Sequence, residues 1–276
     1  MLLGQRRGCS RQVMNPILQS CLPYTPWFDR ALRRMPGIQP VATGDWLQID
    51  DAYGAQLAEK ARLIGERPDD VLALDDGART AGEELLTRVV DALRGIDGFS
   101  VALGAVTRPD GVNVALDYAD PLRTLGQLVQ EDFCILQKQG DEHVLTGALL
   151  CFPASWTLAE KFMQPLTMIH VPVGSYDDGM AKRVQRMFDM VRPEQPLWRA
   201  NALFYVDPAL YQPRSISDAR ERDGRDTPYI RSERQTILRL ADTDAIVFSI
   251  HTYQIRRESL TADQAATLAE TSIPTA

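Results

Sequence analysis

The chain has 276 residues, of which 45% are hydrophobic and 24% charged, so it can bury a substantial core in one large domain or two small ones. Its formal net charge of −7 argues against a nucleic-acid partner, because such proteins normally carry clustered Lys and Arg in excess. No apolar run approaches the roughly 20 residues that span a bilayer, so we expect a globular protein without a membrane partner.

The cysteines and the first residues bear on where the protein is found. The four cysteines show no C-x-x-C spacing and no zinc-finger pairing with histidine, which predicts reduced thiols in a cytoplasmic protein. The first residues lack the continuous apolar segment of a secretory signal, so residues 1–20 are expected to form a flexible tail. We expect a single domain over residues 21–260 and a C-terminal helix and tail over residues 261–276.

The N-terminal third predicts an irregular segment followed by two helices. Four prolines between residues 23 and 40 exclude one long helix there. A helix is expected over about residues 52–64, with Asp50 and Asp51 as candidate caps, and another over residues 79–93. In the second helix the apolar residues recur on one face at the helical period, which predicts a stripe facing the core.

The remaining chain alternates hairpins and helices. A helix capped by Asp120 precedes two apolar runs around the Gly140-Asp141 turn, which predict a hairpin over residues 131–151. A second hairpin is expected over residues 228–255. Between the hairpins we expect a helix over 177–191, a strand near 198–206 and a long surface loop over 207–226. We predict that the two hairpins are neighbours in one antiparallel sheet, which gives an α+β fold.

His170 is the histidine whose setting best suits a ligand. It stands between the apolar run 166–169 and the Val-Pro-Val sequence at 171–173, where proline ends regular hydrogen bonding. A buried imidazole needs a partner, so His170 is either a hydrogen-bonded core histidine or a metal ligand. His143 lies beside the predicted 140–141 turn, which predicts a polar setting and argues against a site built from all three histidines.

The sequence YIRSERQTILRL at 229–240 carries charges on both faces of a predicted strand. Arg231 and Glu233 share one face if the strand is extended, and Arg234 lies on the other. One interpretation is a solvated edge strand, whose charges discourage aggregation. The other is an anion clamp, because guanidinium groups bind carboxylates through two parallel hydrogen bonds.

Two further polar clusters leave alternatives open. Glu131 and Asp132 precede an apolar strand and predict either a local turn or an acid pair near a site. Arg199 follows Trp198 and precedes Asn201 by two residues, which suits a polar site or a half-buried strand equally. Dinucleotide-binding, P-loop, zinc-protease and serine-hydrolase motifs are absent from the sequence.

Seven short segments, taken together, give a more specific signal. They are QEDF at 130–133, CFPASW at 151–156, EKF at 160–162, IHVPV at 169–173, WRAN at 198–201, RSERQTILRL at 231–240 and IVFSIHTY at 246–253. Their order and spacing, over about residues 20–258, resemble the haem subunit of the haem-dependent oxidative N-demethylase family.

The resemblance implies a PAS-like antiparallel sheet whose flanking helices enclose a pocket for haem b, with a histidine ligand and an open iron face for O2. It implies oxidation of a small secondary alkylamine, similar to dimethylamine, with release of formaldehyde. Electrons are then expected from NADPH through FMN and a 2Fe-2S centre, which separate flavin and iron–sulfur reductase subunits would carry.

On this chain the resemblance makes His170 the expected iron ligand. Given a haem, residue chemistry makes Arg231 and Arg234, with Arg199 behind them, candidates for contacts with the propionates. These residues are therefore our candidates for cofactor binding.

Residue chemistry also suggests a role for the acidic residues, and the resemblance marks one departure. Glu131 or Asp132 is expected to hold the amine cation or to direct protons, because a cation that enters an apolar pocket loses hydration. The family usually has arginine where this chain has His251, which predicts a difference in haem or substrate contacts.

Three functions are compatible with these observations. The first is a haem-dependent N-demethylase, the second a non-catalytic haem-binding PAS-like sensor or carrier, and the third an interaction subunit that has lost haem. Haem retention separates the third from the others, and formaldehyde release separates the first from the second.

Overall fold

The computed structural model describes residues 17–33, 37–42, 44–170, 178–215, 217 and 227–270, with the backbone alone for residues 170 and 178–182. The helices are α1 (Tyr53–Glu66), α2 (Pro68–Val71), α3 (Arg79–Leu93), α4 (Pro121–Leu128), α5 (Leu158–Lys161), α6 (Leu166–His170), α7 (Asp178–Met190) and α8 (Ala262–Glu270). The strands are β1 (Gln39–Pro40), β2 (Leu72–Leu74), β3 (Ser100–Ala102), β4 (Ala105–Thr107), β5 (Asn113–Ala115), β6 (Asp132–Gln139), β7 (Glu142–Leu149), β8 (Leu197–Ala200), β9 (Leu203–Tyr205), β10 (Tyr229–Arg239) and β11 (Ile246–Arg256). Within these ranges, no helix combines the length and the apolar character needed to cross a membrane.

An eight-stranded antiparallel sheet organises the molecule. Its strand order is β1-β8-β10-β11-β6-β7-β2, and β9 also pairs with β10. The β6–β7 and β10–β11 hairpins are neighbours because β11 pairs with β6. The predicted α+β fold around one antiparallel sheet is therefore confirmed. A separate sheet of β3, β4 and β5 was not predicted, because three-residue strands are too short to show an alternating pattern.

The two faces of the large sheet bury different cores. The α1 face packs against α1, α3 and α4, and its strand residues include Phe133, Ile135, Leu238 and Val247. The α6 face packs against α5, α6 and α7, and its strand residues include Cys134, Leu136, Ile237 and Ile246. Alternate strand residues point to opposite faces, so the numbering assigns each polar side chain of a central strand to one face.

Strand β10 is an interior strand. It lies between β8 and β9 on one side and β11 on the other, and its register with β11 is continuous from Tyr229 to Arg239. The side chains of Arg231 and Arg234 are buried. The interpretation of this sequence as a solvated edge strand is therefore wrong.

Residues near both ends of the chain, which were predicted to belong to tails, pack against the rest of the fold. Leu18 and Gln19 are buried, and the Gln19 amide donates to the carbonyl of Gln254 (3.0 Å), so the packed chain begins before residue 20. At the other end, Trp27 Nε1 donates to Thr267 Oγ1 of α8 (3.2 Å). Residues 1–16 and 271–276 of the predicted tails lie outside the described residues, as do 171–173 beside His170 and residues 216 and 218–226 of the predicted loop.

Two local predictions need correction. The Asp120 carboxylate does not cap α4; it accepts a hydrogen bond from Arg123 Nε (2.7 Å) instead. The strand predicted near 198–206 is divided into β8 and β9, because the side-chain Oδ1 of Asn201, and not its backbone carbonyl, accepts from the Glu233 amide. The Asp50 carboxylate accepts from the Ala52 amide (3.0 Å) just before α1, although most of its contacts are to distant residues.

Candidate functional site

A partly buried apolar surface covers the α6 face beside the helix that ends at His170. Its side chains pack against the buried core of this face without being fully covered, and they include Trp156, Phe162, Ile169, Leu197 and Phe248. The α5–α6 segment is held over β7 by backbone bonds, since Leu145 donates to Gln164 (3.1 Å) and accepts from Met163 (2.8 Å). The surface therefore offers aromatic and aliphatic contacts to a flat ligand.

Glu233 is the buried carboxylate of β10 on this face. Its Oε2 accepts from Asn201 Nδ2 (3.1 Å) and Gln235 Nε2 (3.0 Å), and its backbone amide donates to Asn201 Oδ1 (2.8 Å). Its Oε1 lies 3.6 Å from Arg231 Nη2. Two amides thus fix Glu233 in place among positively charged neighbours.

Two more cations stand near Glu233. Arg199 lies directly opposite Gln235 in the β8–β10 ladder and therefore shares its face. Lys161 ends α5, and its Nζ lies 4.4 Å from the centroid of the Trp156 ring. Burial lowers the pKa of both side chains. For Lys161 this is partly opposed by Cys134, Glu160 and Glu233, and for Arg199 by Glu233. No local pattern singled out Lys161, although it lies in the EKF segment at 160–162.

Asp132 begins β6 on the same face and is already paired. Its Oδ1 lies 3.1 Å from the Nζ of the fully buried Lys60, and its Oδ2 accepts from the Phe152 amide (2.6 Å). Lys60 also donates to the carbonyls of Gln130 (3.2 Å) and Glu131. The carboxylate therefore does not form the local turn considered from the sequence; it joins β6 to α1 and to the chain after β7.

Glu131 belongs to a different charge cluster, on the α1 face. Its Oε1 accepts from the Gln48 amide (2.7 Å) and lies 3.2 Å from Nδ1 of His251. The other imidazole nitrogen, Nε2, lies 2.9 Å from Asp50 Oδ2. Asp50 also accepts from the side-chain amide of Gln130 (2.8 Å), so the segment before α1 is fixed to the sheet.

The titration of His251 follows from this setting. Burial alone would lower its pKa, but the hydrogen bonds and charges of Asp50 and Glu131 outweigh burial and raise the pKa to about 9. Burial would raise the pKa of Asp50, yet its contacts with His251, Gln130 and Gln19 lower it. The imidazole is therefore charged near neutral pH.

The structure separates Arg231 from Arg234. Arg231 is fully buried on the α6 face, and its guanidinium donates to the carbonyls of Leu210 (2.9 Å) and Phe152. Arg234 lies on the α1 face. Its Nη2 lies 3.1 Å from Asp45 Oδ2, and its Cζ lies 4.9 Å from the centroid of the Trp198 ring. The two side chains point to opposite faces because Arg231 and Arg234 are three positions apart in a continuous strand, in which the faces alternate with each residue.

His143 is not in the polar setting that its position beside a turn predicted. Its side chain is buried, its Nδ1 lies 2.8 Å from Gln185 Oε1, and its ring packs edge-on against Phe188. The Gly140-Asp141 turn is exposed, but Gln185 and Phe188 of α7 cover His143 in the strand that follows the turn. Among the residues that the structure describes, no group of three or more His, Cys, Asp or Glu side chains could hold a metal ion.

Of the predicted site residues, strand alternation assigns Asp132, Arg199 and Arg231 to the α6 face, although Asp132 and Arg231 contact Lys60 of α1, and Phe152 and Leu210 of the α1-face core. The fold puts Glu131 and Arg234 on the α1 face. His170 ends the helix beside the partly buried apolar surface, and its side chain lies outside the described atoms.

A cavity of about 430 Å³ lies elsewhere, where the end of β11 meets α8. Its walls include Pro228, Arg256, Leu260 and Leu268. It contains none of the predicted site residues, so we place the candidate site on the α6 face.

Comparison with protein-family models matches most of the chain to a known family. The family described as haem-dependent oxidative N-demethylase, alpha subunit-like, matches residues 37–273. This span includes the large sheet, α1 to α8 and both charge clusters.

Proposed function

The chain belongs to the haem-dependent oxidative N-demethylase, alpha subunit-like, family, and from this premise we propose that it binds haem b on the α6 face and demethylates a small secondary alkylamine. The observation that carries the proposed reaction is the family match over residues 37–273. The description as an alpha subunit implies that the protein works with other subunits.

The residues of the α6 face fit a haem. A porphyrin presents a flat apolar ring and two carboxylates, and this face offers partly buried aromatic side chains beside Lys161, Arg199 and Arg231. These three cations lie around the carboxylate of Glu233, with Glu160 also acting on Lys161, whereas Asp132 is balanced by Lys60. The donor set therefore has room for negative charge, which favours this face as the haem site in a PAS-like arrangement.

His170 is the residue that we propose as the iron ligand, through its imidazole. It follows Ile169, which packs on the core of the α6 face. Bound there, haem would supply the oxygen and one-electron chemistry that oxidation of an N-methyl group requires. The surrounding apolar side chains would exclude water from the substrate.

The two acids divide between different roles in this proposal. Asp132 is on the α6 face, and with Lys60 it would direct a proton at its carboxylate oxygens near the amine. Glu131 is on the α1 face, so we assign it the positioning of His251 and of the segment before α1. Arg234, on that same face, would not reach a propionate.

We propose that the electrons come from other polypeptides. The chain carries no dinucleotide-binding or P-loop motif. We propose NADPH as the reductant, with FMN and a 2Fe-2S centre on flavin and iron–sulfur subunits, O2 as co-substrate and the cytoplasm as the location.

The test begins with an absorption spectrum of the purified protein. A Soret band and a haem b pyridine spectrum are expected, and their absence would favour an interaction subunit without haem. With NADPH, O2 and a flavin/iron–sulfur reductase, formaldehyde should then appear from at least one amine in a panel of methylamines. A haem-loaded protein that accepts electrons and releases no formaldehyde from any of them would favour a sensor or carrier.

A further inference from the structure

Lys161 has a partly buried ammonium group whose charge lacks a direct partner. Its Nζ lies over the Trp156 ring at 4.4 Å, and among the described residues it forms neither an ion pair nor a hydrogen bond. A desolvated cation is costly unless an anion or several acceptors compensate it, and the ring compensates it only in part. The position therefore favours an anionic ligand.

The backbone around Lys161 is held in one conformation. Ser155 (φ 63°) and Met163 (φ 60°), two non-glycine residues in the left-handed region, bracket the segment that carries Trp156 and Lys161. The Ser155 amide donates to Gln212 O (3.1 Å), and the Met163 amide to Leu145 O (2.8 Å). Such conformations persist where the surroundings impose them, and they concentrate at ligand sites.

Glu233 connects Lys161 with Arg199. Both cations feel its charge, and Arg199 lies beside it because Gln235, the residue opposite Arg199, donates to Glu233. Arg231 is also within 3.6 Å of this carboxylate. Glu160, the residue before Lys161, also acts on the Lys161 charge, so two acids, Glu233 and Glu160, stand among the three cations Lys161, Arg199 and Arg231.

We infer that Lys161 and Arg199 form a two-cation clamp for the two propionates of haem, with Glu233 as the residue that positions both cations. This inference rests on the proposed haem site and assigns a binding role to Lys161. It requires the carboxylates of the ligand to be charged, whereas the apolar ring contacts do not.

The experiment compares two ligands that differ only in those charges. Haemin and haemin dimethyl ester, whose carboxylates are blocked, are titrated into the full chain prepared without haem. For Lys161→Met we expect haemin to bind about tenfold to a hundredfold more weakly, as the loss of one charge-assisted contact implies, and the ester to bind as it does to wild type. Lys161→Arg should retain haemin affinity.

Two controls make the result decisive. Lys138→Met removes a surface lysine that pairs with Asp189 (2.6 Å), and it should leave both affinities unchanged. Lys161→Gln, a smaller and polar replacement, is measured in parallel in case the methionine variant does not fold. If these Lys161 variants weaken haemin and ester equally, or weaken neither, the clamp is refuted; if wild type binds neither ligand, the proposed haem site itself is wrong.

Discussion

His251 and Asp50 form a buried ion pair on the α1 face, with Nε2 2.9 Å from Oδ2. Glu131 flanks the other side of the ring at 3.2 Å, so the charged imidazole has a carboxylate at each nitrogen. The pair joins the middle of β11 to the residues just before α1.

This pair predicts that stability falls as the solution becomes alkaline. The pKa of His251 is about 9 in the folded protein against 6.5 ordinarily, so its stabilisation is complete below about pH 6.5 and is lost as pH rises to about 9. A shift of this size corresponds to about 3 kcal/mol. Urea unfolding of wild type and His251→Gln at several pH values measures it, and the variant should lack this part of the decline.

His143 supplies a control of opposite sign. Burial lowers its pKa, so its contribution to stability is lost as pH falls below its ordinary value of 6.5. His143→Gln should therefore keep the alkaline decline of the wild type. A His251→Gln protein with the full alkaline decline would contradict the assignment to this pair.

Lys60→Met should be strongly destabilising. Lys60 is fully buried and donates to two carbonyls beside its pair with Asp132, so the substitution strands a buried carboxylate at a cost of about 3–5 kcal/mol. Adding Asp132→Asn removes the stranded charge and should restore part of the loss. Chemical denaturation of both variants measures the effect, and an exposed-site control, Lys138→Met, should change stability by less than about 0.5 kcal/mol.

Arg231→Met and Arg234→Met should differ in two measurements. Loss of Arg231 leaves two buried carbonyls without donors and is expected to cost about 3 kcal/mol or more. Arg234 pairs with a carboxylate that is largely exposed, so its loss should cost about 1 kcal/mol. Only the Arg231 variant is expected to weaken haem retention, and equal effects on retention would argue against the α6 face.

His170→Ala should lose haem or change its absorption spectrum sharply, because the imidazole is the proposed iron ligand. His143→Ala should keep the spectrum at some cost in stability, since His143 packs on Phe188 and lies beside Gln185. Spectra of the two variants at matched protein concentration provide the comparison. If they behave alike, the ligand assignment is wrong.

The parts of the fold that local patterns specify could be predicted. The Gly140-Asp141 turn and the alternation around it identify the β6–β7 hairpin, and the apolar stripe of residues 79–93 identifies α3. Strand β10 was ambiguous because Arg231 finds its acceptors at Phe152 and Leu210, which are distant in sequence. No local pattern reveals such partners.

The candidate site shows the same limit. Alternation in an extended strand predicted that Arg231 and Arg234 diverge, and they do. It could not say that Asp132 is balanced by Lys60 or that Glu131 contacts His251, because α1 and β11 reach these acids only in the folded chain. Lys161 was missed for this reason as well, since its relation to Glu233 and Arg199 crosses three separate segments.

The sheet order also implies a sequence of folding events. Each long hairpin closes locally, but the β6–β11 seam joins Leu136 to Ile246, residues on the order of a hundred positions apart, and such pairings pay a large loop-closure entropy. Helices α5, α6 and α7 lie in the intervening chain and pack on both hairpins. The α6 face, where we propose the ligand site, is therefore expected to form only after the seam has closed, so that a cofactor would find its complete set of contacts late in folding.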